Sequence, residues 1–154
     1  MPGRGSPSIR GLIVAEPPAR YALRQPLVVD CSLISATLFQ EAERDQAEAR
    51  MKGFELHAPS LLDFEIANVA VRKMRQGRGD VADAGLARYA GLSIVLHGTN
   101  LLGVLALAER YALSGYDAAY LWLAATLRSP LATFDRKLGE AAERYLGSLD
   151  SDNV

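Results

Sequence analysis

The chain has 154 residues, enough for one domain with a buried core, and its 17 basic and 18 acidic residues nearly cancel. Net charge therefore gives no argument for nucleic acid, and a nuclease would need a local basic patch. A single cysteine, Cys31, excludes an internal disulfide and fits a reducing compartment; no apolar run approaches the roughly 18 residues of a membrane span, so a cytoplasmic protein is expected.

Residues 1–26 are rich in Gly, Pro, Ser and Arg without a period, and read as a flexible extension. From Leu27 the character changes. Leu27-Val28-Val29 suits a buried strand with Asp30 at its carboxyl end, and Ser32 can cap a helix over Leu33 to Gln40. Glu41 to Lys52 is a charged, alanine-rich helix ending at Gly53. Glu55 to Ala58 is a brief strand candidate. Ser60 and Asp63 then have capping-box spacing at the head of a strong helix that runs to Gln76 and stops at Gly77. Asp80 can cap a helix over Val81 to Ala90, and Leu92 to Leu96 reads as a third strand. Thr99 begins a helix to Tyr111, and Ser114 caps another that continues to Leu127 or Arg128. Leu131 to Phe134 is a fourth strand and Arg136 to Tyr145 a last helix, with a fifth strand weakly suggested after it.

Strands separated by helices imply an α/β fold: one domain over residues 27–150, a central parallel sheet of four or five strands, helices on both faces. Residues 151–154 are expected as a disordered tail. In such folds the crevice beyond the carboxyl ends of the strands is where ligands bind. Asp30 and Asp135 end strands, Asp117 opens a helix, and Glu65 lies on the helix after the second strand. Four carboxylates reaching one crevice from separated segments would make a site for hard divalent cations.

The pieces VVDCS (Val28–Ser32), APSLLDFEIANV (Ala58–Val69), SGYDAAYLWLA (Ser114–Ala124) and PLATFDRKL (Pro130–Leu138) occur in an order and spacing that resemble PIN-domain ribonucleases, and within them the VapC-like toxins of toxin–antitoxin pairs. The resemblance covers about Leu27 to Leu146. It implies a metal-dependent endoribonuclease, using Mg2+ or Mn2+ bound by Asp30, Glu65, Asp117 and Asp135. It further implies that Ser32, Asn68 and Thr133 hydrogen-bond around those acids, and that the protein is a homodimer with an antitoxin partner that blocks its cleft. Residues 1–26 have no counterpart in the family, and Trp122 stands where a small residue is usual.

Each acid also has an ordinary explanation. Asp117 could complete a capping box with Ser114, Asp30 and Asp135 could be turn residues after strands, and Glu65 could face solvent. Their joint spacing favours the metal reading. Asp63 is assigned to capping, since it points away from Glu65 around the helix, and His57 and His97 are expected to be structural. Among the bases from Arg72 to Arg78, a solvated helix end and an RNA-backbone role stand level; Arg72, two turns from Glu65 on one stripe, is the best RNA-binding candidate. Tyr111, Tyr116, Tyr120 and Trp122 are read as helix packing. The rival functions are a housekeeping PIN nuclease without an antitoxin and a module that binds RNA or protein without cleaving.

Overall fold

A computed structural model describes residues 24–151, so most of the expected extension and the end of the expected tail lie outside the described residues. Four parallel strands form the sheet: β1 (Pro26–Val29), β2 (Glu55–Pro59), β3 (Ile94–His97) and β4 (Leu131–Ala132), in the order β3-β2-β1-β4. Seven helices connect and follow them: α1 (Cys31–Leu38), α2 (Arg44–Met51), α3 (Leu62–Arg75), α4 (Gly79–Ala90), α5 (Leu101–Tyr111), α6 (Gly115–Leu127) and α7 (Arg136–Ser151). The α/β class and the parallel sheet are as expected, with four strands. Among the described residues there is no fifth, because α7 continues through the stretch where it was sought.

The chain steps outward from β1 to β2 to β3, then returns to pair β4 on the other side of β1. That reversal opens a crevice between the carboxyl ends of β1 and β4, where the loops that follow diverge. Leu27, Val28 and Val29 of the central strand are almost completely buried, which is why this strand is an unbroken apolar run. Ile34 of α1, Ile66 of α3 and Leu121 and Leu123 of α6 close over the sheet, each 1% exposed or less. Truncating any of them to alanine would cost about 2–5 kcal/mol. Ser129, buried at the entry to β4, accepts from the Val28 backbone N–H at 3.2 Å and so joins the two strands that flank the crevice.

Trp122 is accommodated by a glycine on the facing helix. A Cβ at Gly103 of α5 would lie 2.6 Å from Trp122 Nε1, so the indole occupies space that only glycine leaves open. The bulky residue therefore bears on the packing of α5 against α6, away from the acids.

Several helix starts differ from expectation. Asp30, not Ser32, caps α1, and Asn100, not Thr99, caps α5 by accepting from the Gly103 N–H. At α3 the cap position is Leu61 with no side-chain cap bond: the Ser60 hydroxyl donates to the His97 carbonyl instead, and Asp63 accepts from the Tyr89 hydroxyl at 2.8 Å. Asp80 lies inside the first turn of α4, which starts after Arg78. Ser114 caps α6 as expected, accepting from the Asp117 N–H at 3.0 Å. Gly53 and Gly77 take positive φ just past α2 and α3, the left-handed stop their sequence positions suggested.

His57 and His97 link β2 to the edge strand β3. His57 Nδ1 lies 2.8 Å from His97 Nε2, and His57 Nε2 lies 2.8 Å from Glu55 Oε1. The carboxylate takes the Nε2–H of His57, so its Nδ1 accepts from His97. The structural role expected of these histidines matches this geometry. No helix among the described residues is long and apolar enough to cross a membrane.

Candidate active site

All four acids singled out above stand at helix N-termini around the crevice. Asp30 caps α1, Glu65 and Asp117 lie in the first turns of α3 and α6, and Asp135 caps α7 by accepting from the Leu138 N–H at 2.8 Å. The positive ends of the helix dipoles offset part of the negative charge gathered there.

Asp30 is the most firmly held of the four. It is 6% exposed, and its Oδ1 accepts from the Ser32 hydroxyl at 2.6 Å and from the Leu33 N–H at 3.2 Å. Its Oδ2 accepts from the Thr133 hydroxyl at 2.5 Å. Each hydroxyl has one proton, and both are used on Asp30, so the 3.5 Å approach of Ser32 to Thr133 is a contact between two acceptors. Those oxygens in turn accept from the backbone: Phe134 N–H to Ser32 at 2.9 Å, and Asp135 N–H to Thr133 at 2.8 Å. The loop after β4 is thereby stitched to the start of α1. Ser32 and Thr133 thus stand where hydrogen-bonding partners of the first acid were expected.

Glu65 is half-buried and has a partner that sequence reasoning missed. The Tyr120 hydroxyl donates to its Oε1 at 2.7 Å across α3 and α6. Tyr120 had been read as packing alone. The available signal was a tyrosine inside the apolar run AAYLWLA, since a buried phenol usually finds an acceptor. Asn68, one turn after Glu65, is exposed, and its amide makes no hydrogen bond among the described residues. Arg72 is exposed on α3 with its charge close enough to bear on Cys31 at the start of α1. Asp117 spends no carboxylate oxygen on its own cap, because only its backbone N–H engages Ser114.

The acids feel one another. Burial pushes the Asp30 carboxyl up despite the three hydrogen bonds it accepts, and the charge of Asp135 adds to that rise. Burial also raises Glu65, against the Tyr120 hydrogen bond, and the charges of Asp30 and Asp117 raise it further. The four carboxylates are thus linked in one chain of repulsion, from Asp135 through Asp30 and Glu65 to Asp117. Cys31, beside them, is pushed up to about 12, first by burial and then by Glu65 and Asp30, so it is a protonated thiol and no nucleophile at neutral pH. Among the described residues no three Asp, Glu, His or Cys side chains are grouped closely enough to hold one ion. The arrangement is an open acidic crevice, suited to an ion that keeps several waters and takes one or two direct carboxylates.

A model of the PIN domain matches residues 27–144. The chain is 36% identical over 121 residues to "Ribonuclease VapC3" of Pyrobaculum aerophilum, covering 74% of this chain and 92% of that one. It is 32% identical over 120 residues to "Ribonuclease VapC3" of Mycobacterium tuberculosis, covering 76% and 88%. The crystal structure of PAE2754 from Pyrobaculum aerophilum superposes with a TM-score of 0.61 at 25% identity, over 82% of this chain and 96% of that one. With crevice, sheet order and sequence in agreement, the chain belongs to the PIN-domain family as a VapC-like member.

Proposed function

We propose that the protein is a metal-dependent endoribonuclease acting as the toxin of a toxin–antitoxin pair. The observation that carries this reading is that four acids stand at helix N-termini, near enough for the charge of Asp135 to raise Asp30 and for those of Asp30 and Asp117 to raise Glu65. Relatives named ribonucleases, aligned over most of both chains, support the same substrate class.

The donor set fits Mg2+ or Mn2+. Every candidate ligand is a carboxylate oxygen, and uncompensated repulsion among them is what a divalent cation would relieve. Asp30, Asp117 and Asp135 would hold the ion between them, one or two of them directly and the rest through its bound waters, with Glu65 as a further partner of such a water or as the group that orients the attacking one. When bound, the ion would lower the pKa of a coordinated water and offset charge on the phosphate. The chain's own residues do the rest. Ser32, Thr133 and the Leu33 N–H fix the Asp30 carboxylate, Tyr120 fixes Glu65, and Asp135 is set by the first turn of α7. Arg72, on the rim, would meet the RNA backbone. An antitoxin partner that fills the cleft and a homodimer complete the proposal.

The test is cleavage of RNA by purified protein supplied with Mg2+ or Mn2+. Asparagine at position 30 keeps a good helix cap while removing the charge. Asp30→Asn should therefore stay folded and lose on the order of 100-fold or more in cleavage rate. A fully active Asp30→Asn protein would remove the first acid from the mechanism. No metal-stimulated cleavage by the wild type would favour a binding module, and a small reading frame beside the gene separates a toxin from a housekeeping nuclease.

A further inference from the structure

Among the described residues Tyr120 is the only buried tyrosine, 1% exposed, and its hydroxyl donates to Glu65 Oε1 at 2.7 Å. Phenylalanine would fill the same core volume without bringing a hydroxyl into it. The hydroxyl is satisfied by an acid at the crevice and by no backbone group. Tyr120 also lies one turn after Asp117, so α6 contributes one acid and the group that restrains another. A glutamate side chain has three rotatable bonds, and half-buried Glu65 would otherwise turn away from Asp30 and Asp117, whose charges repel it.

We infer that Tyr120 is a positioning residue: by tying down one oxygen of Glu65 it holds the carboxylate in the crevice with the other oxygen free for a cation or a water. The inference rests on the nuclease reading proposed above and deepens it. Groups that orient a ligating side chain typically change metal affinity by about 10–100-fold when removed.

The experiment is Mn2+ binding to the metal-free protein, followed by electron paramagnetic resonance of the free ion, in wild type, Tyr120→Phe, Glu65→Gln and the double variant. Tyr120→Phe should weaken binding about tenfold, at the low end of that range, with little change in the melting temperature of the metal-free protein. In the Glu65→Gln background the same change should move the dissociation constant less than about twofold, because the group being positioned is already gone. A tyrosine with a packing role alone would leave the Mn2+ constant unchanged in Tyr120→Phe, whatever the melting temperature; that result overturns the inference, as do additive losses in the double variant. Should Tyr120→Phe not fold, proton NMR of the wild type decides. A slowly exchanging Tyr120 hydroxyl resonance should shift when Mg2+ is added, and one that stays fixed under saturating Mg2+ overturns the inference. Wild-type protein that binds no Mn2+ refutes the nuclease reading itself, whereas wild-type binding matched by Tyr120→Phe refutes only the role of Tyr120.

Discussion

The two flanks of the crevice are built differently. On the side formed by β1 and β4, Asp30 and Asp135 cap helices and are woven into a network of two hydroxyls and four backbone N–H groups. On the side formed by α3 and α6, Glu65 has one hydrogen bond, from Tyr120, and the Asp117 carboxylate has none among the described residues. The strand-end acids therefore hold the fold together as well as carrying charge. The helix acids give the fold less: Glu65 accepts the Tyr120 hydroxyl, and Asp117 offers only its charge to the first turn of α6. The lesson is that alanine substitution would separate an acid's contribution to stability from its contribution to chemistry on the α3–α6 flank, whereas on the β1–β4 flank that takes a replacement, such as asparagine, that keeps the helix cap.

Alanine substitution draws that contrast most strongly. Asp30→Ala removes the cap of α1 and leaves the Ser32 and Thr133 hydroxyls without their acceptor. The expected cost is about 2–3 kcal/mol of unfolding free energy. Asp117→Ala should change stability by less than about 0.5 kcal/mol, since it deletes no hydrogen bond and relieves Glu65. Both variants should lose cleavage. Chemical denaturation of the two proteins measures the difference, and equal destabilisation would erase the distinction between the flanks.

Divalent metal would sharpen the comparison from the other direction, because a cation bound among the acids would relieve their repulsion. At about 100 times its dissociation constant, a ligand of the native state adds roughly 2.7 kcal/mol. For a domain of this size that is a rise in melting temperature of roughly 5–10 °C under saturating Mn2+ or Mg2+. The rise should shrink in Asp117→Ala although that variant is as stable as wild type without metal. Thermal melts with and without metal give both numbers, and a wild-type melting temperature indifferent to saturating metal would count against cation binding.

Much of this was legible in the sequence, for reasons that are local. An aspartate directly after Leu27-Val28-Val29 ends a strand, and the same residue type before Arg136 opens a helix; spacing alone put both at the crevice edge. The ordinary reading of Asp30 and Asp135 as turn residues after strands missed one thing: each caps the helix that follows it. What was not legible depends on partners distant in the chain. Ser60 looks like a cap until β3 presents the His97 carbonyl to it, and Asp63 is drawn off by Tyr89. The acceptor of Tyr120 lies 55 residues away, and no periodicity encodes that. A four-residue strand was expected at Leu131 to Phe134, yet the ladder ends at Ala132, because the backbone beyond it turns to serve Ser32 and Thr133.

The far side of the sheet gives the smallest effect and one of opposite sign to the crevice. Burial, and then the neighbouring His57, push the His97 imidazole below its usual range. The unfolded chain, with a histidine pKa of about 6.5, then binds the proton more readily than the folded one. Stability tied to this group is fully present above about pH 6.5 and is lost as pH falls through the lower folded value. Asp30 and Glu65 are raised, so their strain eases on acidification, and a wild-type melt alone would blur the two trends. Comparing wild type with His97→Gln at each pH cancels the acids, which both proteins share. Between pH 7.5 and 5.5 the wild type should lose about 1 °C more than the variant, a small loss because β3 is an edge strand held by β2 alone. Parallel pH profiles would show that the His57–His97 bond adds nothing to the docking of β3.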